Sequence, residues 1–309
     1  MAILVTGASA GFGEAMCRTF VQAGYSVIGA ARRGEKLQAL AAELGERFYP
    51  LEMDVSRTES IRNALDSLPE NFAEIDCLIN NAGLALGLET ADKADFGDWE
   101  TMIQTNIVGL TFLTRQILPQ MAERKQGYIM NLGSIAGSYA YEGSNVYGAT
   151  KAFVRQFSMN LRAELADKNI RVTNIEPGLC GGTEFYNVRF KGDDERAEKV
   201  YENVESIQPQ DIADTALWLY QRPAHMNVNS IEIMPVAQTF AGMKVIRNTL
   251  PVPAQAESFE KQSIKVSFAA VSVACFTDKL LKATVAILNK IKKIMNDLNF
   301  FLVTYAQAF

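Results

Sequence analysis

The chain has 309 residues, 48% apolar and 21% charged, with a net charge of −5. This suits a soluble protein with a substantial core and offers no basic face for nucleic acid. Four scattered cysteines (Cys17, Cys77, Cys180 and Cys275) form no C-x-x-C pair, which excludes a disulfide scaffold and predicts a reduced, cytoplasmic setting. The one histidine, His225, lies in the turn-like segment Arg222-Pro223-Ala224-His225. That position argues against a Ser-His-Asp triad, and no metal site is expected.

Seven short apolar runs alternate with amphipathic stretches. The first, Ala2–Thr6, passes straight into Thr6-Gly7-Ala8-Ser9-Ala10-Gly11-Phe12-Gly13, so it reads as a strand rather than a signal peptide. A helical stretch at Glu14–Phe20 follows. A glycine turn between a strand and a helix lets backbone N–H groups approach a pyrophosphate, and the helix N-terminus favours its charge. The second run, Tyr25–Ala31, ends at Arg32-Arg33 with no acid. An acid there would hold the ribose hydroxyls of NAD, whereas a guanidinium suits the 2′-phosphate, so NADP is the expected cofactor.

Leu37, Leu40, Ala41 and Leu44 keep helical spacing, as do Phe153, Phe157 and Leu161. The remaining runs are Phe48–Met53, Ile75–Asn80, Gly127–Gly133, Ile170–Ile175 and Val228–Ile233. Near-continuous apolarity predicts strands buried on both faces, and the alternation predicts a doubly wound α/β domain with seven parallel strands over residues 1–247.

Pro251-Val252-Pro253 marks a break, and residues 248–309 carry seven lysines against four acids. Within them, Leu281, Val285, Leu288, Ile291, Met295 and Leu298 share a helical face. This predicts a C-terminal extension, partly an amphipathic helix, that packs on the domain or a neighbouring subunit. A membrane-surface helix and a segment foreign to the enzyme are the alternatives; Val266–Phe276 is too short to span a membrane.

Tyr147 and Lys151 stand one helical turn apart, downstream of a glycine-flanked Ser134. Hydride transfer to a carbonyl leaves an oxyanion that must be protonated. Tyrosine ionises near pH 10 when unperturbed. A lysine on the same helix face would favour its phenolate, and Ser134 could orient the reacting oxygen. The bland readings are a capping serine, a core tyrosine and a solvated lysine.

In combination these motifs resemble the short-chain dehydrogenase/reductase family. They are Thr6-Gly7-x-x-x-Gly11-x-Gly13, Asp54-Val55, Asn80-Asn81-Ala82-Gly83, Asn106, Ser134, Tyr147-x-x-x-Lys151 and Pro177-Gly178. The resemblance covers residues 1–247 and implies a Rossmann-type sheet, a homotetramer and an acid–base tyrosine. It implies that Gly7 to Gly13 cradle the cofactor and that Asp54, Val55 and Asn81 line its adenosine half. Lys151 would hold the nicotinamide ribose, and Asn106 a water leading protons to solvent. Pro177, Gly178, Leu179 and Thr183 would complete the cofactor site, although the Pro177–Thr183 spacing is one residue longer than the commonest family form.

The segments Gly181–Phe185 and Asn187–Asp193 resemble a bacterial branch, the NADP-dependent 3-hydroxy acid dehydrogenases. That branch is similar to serine and allo-threonine dehydrogenases and reduces malonic semialdehyde. Ser134 and Tyr147 would then meet the substrate. Arg189, in the family's substrate loop, would meet its carboxylate, because a guanidinium fork matches one better than Lys191 does; the alternative places Arg189 on the surface or a subunit contact. A general carbonyl or 3-oxoacyl reductase is the competing enzyme reading. A non-catalytic NADP-binding regulator would be expected to have lost the tyrosine or lysine.

Overall fold

The computed structural model describes residues 1–240. The boundary expected after Arg247, the amphipathic stretch and Cys275 lie outside the described residues.

Seven strands form one parallel sheet in the order β3-β2-β1-β4-β5-β6-β7. They are β1 (Ala2–Thr6), β2 (Ser26–Ala31), β3 (Phe48–Glu52), β4 (Ile75–Asn80), β5 (Gly127–Leu132), β6 (Ile170–Pro177) and β7 (Ser230–Ile233). The helices between them are α1 (Gly11–Gln22), α2 (Gly34–Leu44), α3 (Thr58–Asp66), α4 (Glu70–Ala73), α5 (Phe96–Ile103), α6 (Leu110–Arg124), α7 (Asn145–Glu164), α8 (Phe185–Arg189), α9 (Asp194–Lys199) and α10 (Pro209–Tyr220). All seven expected strands are present. The seventh is shorter than expected because Asn227 and Val228 meet β6 through side chains. The Asn227 amide oxygen accepts from the Val172 N–H, and the Thr173 hydroxyl donates to the Val228 carbonyl.

Side chains alternate across the sheet. Ile3 and Val5 of β1 pack with Met16 and Phe20 of α1, Leu37 and Leu40 of α2, and Ile212 and Leu219 of α10. Ala2 and Leu4 face the opposite layer, with Ile61 of α3, Leu113 and Ile117 of α6, and Leu161 of α7. Helices thus cover both faces, which explains why the strands read as unbroken apolar runs. On α7 the buried stripe is Tyr147, Lys151, Val154, Ser158 and Leu161. Phe153, which keeps helical spacing with Phe157 and Leu161, is exposed, one step around the helix from Val154. His225 occupies an exposed turn, as expected, and Cys17, Cys77 and Cys180 are buried free thiols. Among the described residues no helix is long and apolar enough to cross a membrane, and no group of residues could hold a metal ion.

Candidate active site

Strand order reverses between β1 and β4, and the carboxyl ends of the strands carry the chemistry-bearing residues. Gly7 follows β1, Arg32 and Arg33 follow β2, Asp54 and Val55 lie beyond β3, Asn81 follows β4, and Ser134 lies beyond β5. Gly178 follows β6, its N–H donating to the Ile233 carbonyl. Such a switch point is where doubly wound sheets bind ligands. A cavity of about 630 Å³ opens there.

Its wall includes Gly7, Ser9, Ala10, Gly11, Phe12, Arg32, Arg33, Asp54, Val55, Asn81, Ser134, Tyr147, Lys151, Pro177, Gly178, Leu179, Thr183 and Arg189. Three expected residues lie outside the wall. Ala8 is buried in the core and its N–H donates to the Ala30 carbonyl, so it is spent on structure. Gly13 sits behind the turn, where a Cβ would collide with the Gly7 carbonyl oxygen; its role is to let α1 approach β1. Asn106 is buried in a π-helical turn, Gln104–Gly109, and its side chain is committed. Its oxygen accepts from the Leu84 N–H at 3.0 Å, and its amide donates to the Leu84 carbonyl and the Thr150 hydroxyl. It braces the loop after β4 against α7; both amide hydrogens are engaged, and the oxygen keeps one acceptor position.

The residues fit a dinucleotide. Gly7 has φ +71°, a conformation only glycine adopts freely. The α1 N-terminus has no side-chain cap, so its first N–H groups remain free for an anion. Asn81 is pinned to β1 by a 2.7 Å bond from its amide to the Thr6 carbonyl. Thr183 lies across from Gly11, with its methyl 3.1 Å from where a Gly11 Cβ would stand. The longer Pro177–Thr183 spacing therefore still returns Thr183 to the cavity.

The two arginines differ. Arg32 is exposed and makes no hydrogen bond or ion pair among the described residues. Arg33 donates to the Ser9 hydroxyl and carbonyl and pairs with Glu184 at 2.8 Å. Glu184 also pairs with Lys36. Sequence reasoning missed Glu184, because nothing in the sequence places the segment after β6 beside the β2 end. Arg32→Asp is expected to weaken NADP binding at least tenfold more than NAD binding, since one charge-assisted bond is worth about 1.5–3 kcal/mol. Fluorescence titration of both cofactors checks this; equal losses would remove Arg32 as the selector.

At the other end, Tyr147 is buried against Phe185, ring centroids 5.7 Å apart. Burial holds its phenol well above the usual range; a hydrogen bond with Ser134 and the charge of Arg189 offset part of this, and the neighbouring Tyr141 adds to it. The Ser134 hydroxyl also accepts from the Ala136 N–H at 3.1 Å, which fixes it at the strand end. Lys151 is buried as well, and desolvation lowers its ammonium to about 8. Its Nζ donates to the Leu132 carbonyl at 2.7 Å and stands 5.9 Å from the Tyr147 ring centroid. The sequence assigns the favouring of phenolate to Lys151; here its Nζ is turned toward the β5 carbonyl, and burial holds the Tyr147 phenol above its usual range even with the Ser134 hydrogen bond and the Arg189 charge beside it.

Arg189 is 2% exposed and is neither a surface residue nor free. Its Nε donates to the Gly87 carbonyl, one Nη to the Tyr141 hydroxyl and the other to the Gly143 carbonyl. Its Cζ is 5.5 Å from the Tyr147 ring centroid. All three of these acceptors are neutral.

The family is thereby defined: the chain belongs to the short-chain dehydrogenases, whose family model matches residues 1–194. It is 61% identical over 242 residues to a probable NADP-dependent dehydrogenase of Haemophilus influenzae, covering 78% of this chain and 96% of that one. It is 56% identical over 248 residues to an NADP-dependent 3-hydroxy acid dehydrogenase of Salmonella typhi, covering 80% and 100%. A solved structure, the closed form of serine dehydrogenase complexed with NADP+, superposes with a TM-score of 0.79 at 55% identity, covering 80% and 100%.

Proposed function

We propose that the protein is an NADP-dependent oxidoreductase acting at the 3-hydroxyl of small 3-hydroxy acids or 3-hydroxy amino acids. The observation that carries this reading is Arg189: a buried cation whose three hydrogen bonds go to neutral acceptors, in the same cavity wall as Tyr147 and Ser134. A buried charge is costly unless paired, and a substrate carboxylate would supply the pair. The names of the relatives in Haemophilus and Salmonella support the cofactor and the substrate class.

Bound NADP would supply or accept the hydride. Tyr147 exchanges the proton of the reacting hydroxyl through its own phenol oxygen. Ser134, held by the Ala136 N–H, donates to the same oxygen and preorganises it. Lys151, in the same cavity wall, holds the ribose hydroxyls. Asn106 acts through the loop it braces. A steady-state screen of NADP and NAD against serine, allo-threonine, 3-hydroxypropionate and an unrelated aliphatic alcohol tests the reading. The hydroxy acids with NADP should dominate. Preference for the alcohol would favour a general carbonyl reductase.

A cytoplasmic homotetramer belongs to the same reading. The buried free thiols support a reducing setting. Exposed Phe96 and Ile103 on α5, with Phe153 and Met159 on α7, support burial between copies; sedimentation at micromolar protein would test it. Residues 1–247 are proposed as the complete catalytic domain, since each relative is matched almost end to end by about 80% of this chain. Truncation after Arg247 is expected to leave thermal midpoint and turnover near those of the full chain. An insoluble or inactive product would place the extension in the fold.

A further inference from the structure

Tyr141 lies in the loop between β5 and α7, six residues before Tyr147, and lines the cavity. Its side chain is at the rim, 37% exposed. The phenol oxygen accepts from Arg189 Nη1 at 3.0 Å, and the guanidinium carbon stands 5.7 Å from its ring centroid. A guanidinium carries donors only, so this bond uses the phenol's acceptor side. That bond does not use the Tyr141 proton, which is left to donate. A hydroxyl that accepts from a cation is also polarised into a stronger donor. The same guanidinium stands 5.5 Å from the Tyr147 ring centroid. Arg189 and the Tyr141 hydroxyl thus present positive charge and a spare O–H together, on the wall that holds the acid–base tyrosine.

We propose that Tyr141 is a specificity-determining residue that pairs with Arg189 to recognise the substrate's carboxylate, Arg189 supplying the charge and Tyr141 a second donor. A carboxylate has two oxygens and about four acceptor positions. Arg189 already spends three of its N–H bonds on Gly87, Tyr141 and Gly143, so Tyr141 provides a donor that the arginine does not. This rests on the 3-hydroxy acid reading and names the residue that distinguishes an acid from its neutral analogue. A neutral ester offers weaker acceptors and no charge, and it should depend on the pair far less.

The test compares Tyr141→Phe with the unaltered full-length enzyme, using 3-hydroxypropionate and its methyl ester at saturating NADP. The expected result is a drop of about tenfold in the acid-over-ester ratio of kcat/KM, carried by KM for the acid. Phe keeps the ring and its contacts, and turnover of the ester in the same preparation reports the integrity of the site. Equal losses for acid and ester, with the preference intact, would overturn the assignment of Tyr141 alone. If the unaltered enzyme shows no preference for the acid, the 3-hydroxy acid reading fails and the proposal fails with it.

Discussion

Tyr147→Phe is expected to lower turnover about 100- to 10,000-fold, the usual worth of a positioned acid–base group, while NADP still binds. The substitution removes one oxygen from a ring that is buried against Phe185. Its bond with Ser134 is lost, but the Ser134 hydroxyl keeps the Ala136 N–H. The cofactor end of the cavity, at Gly7, Gly11 and Arg32, belongs to other loops and should be untouched. Turnover beside a cofactor titration and a thermal midpoint measures all three. Near-normal turnover would mean that another group moves the proton. Lost cofactor binding would mean that Tyr147 is a support for the fold of the site.

The sheet was legible because its inner strands β2, β1, β4, β5 and β6 are buried nearly throughout, whereas the edge strand β7, expected to be buried on both faces, is exposed or half-buried at every position. Thr6-Gly7, Ala31-Arg32 and Gly133-Ser134 mark strand ends directly. Depth within the site was less legible. Ala8 and Gly13 belong to the same glycine turn as Gly7, yet one is spent on β2 and the other on packing α1 against β1. Local sequence cannot distinguish an N–H that faces a cavity from one that faces a neighbouring strand. Contacts between distant loops were hidden altogether. Arg189 joins residues 87, 141 and 143, and Glu184 joins Arg33 and Lys36. These pairings depend on where the segment after β6 returns, and no periodicity records that.

Arg189→Met is expected to reduce kcat/KM for a 3-hydroxy acid roughly 100- to 1,000-fold, because up to two charge-assisted bonds of about 1.5–3 kcal/mol each are lost. A second effect follows from its place beside Tyr147. The guanidinium charge draws the phenol downward, so removing it raises the ionisation point of Tyr147. Oxidation of the hydroxyl needs phenolate to accept its proton. The rising limb of the oxidation rate should therefore move to higher pH in the variant. Arg189→Lys separates the two roles. It keeps a positive charge near Tyr147 and should leave the limb closer to its original position, but it lacks the fork that suits a carboxylate, so the loss in kcat/KM for the acid should remain. Both variants also strip donors from the Gly87 and Gly143 carbonyls, each worth about 1–3 kcal/mol when buried and unpaired, so thermal midpoints must accompany the kinetics. An unchanged pH profile in Arg189→Met would show that Ser134 alone lowers Tyr147. An unchanged kcat/KM for the acid in a folded variant would remove Arg189 from substrate recognition and leave its carbonyl clamps as its whole purpose.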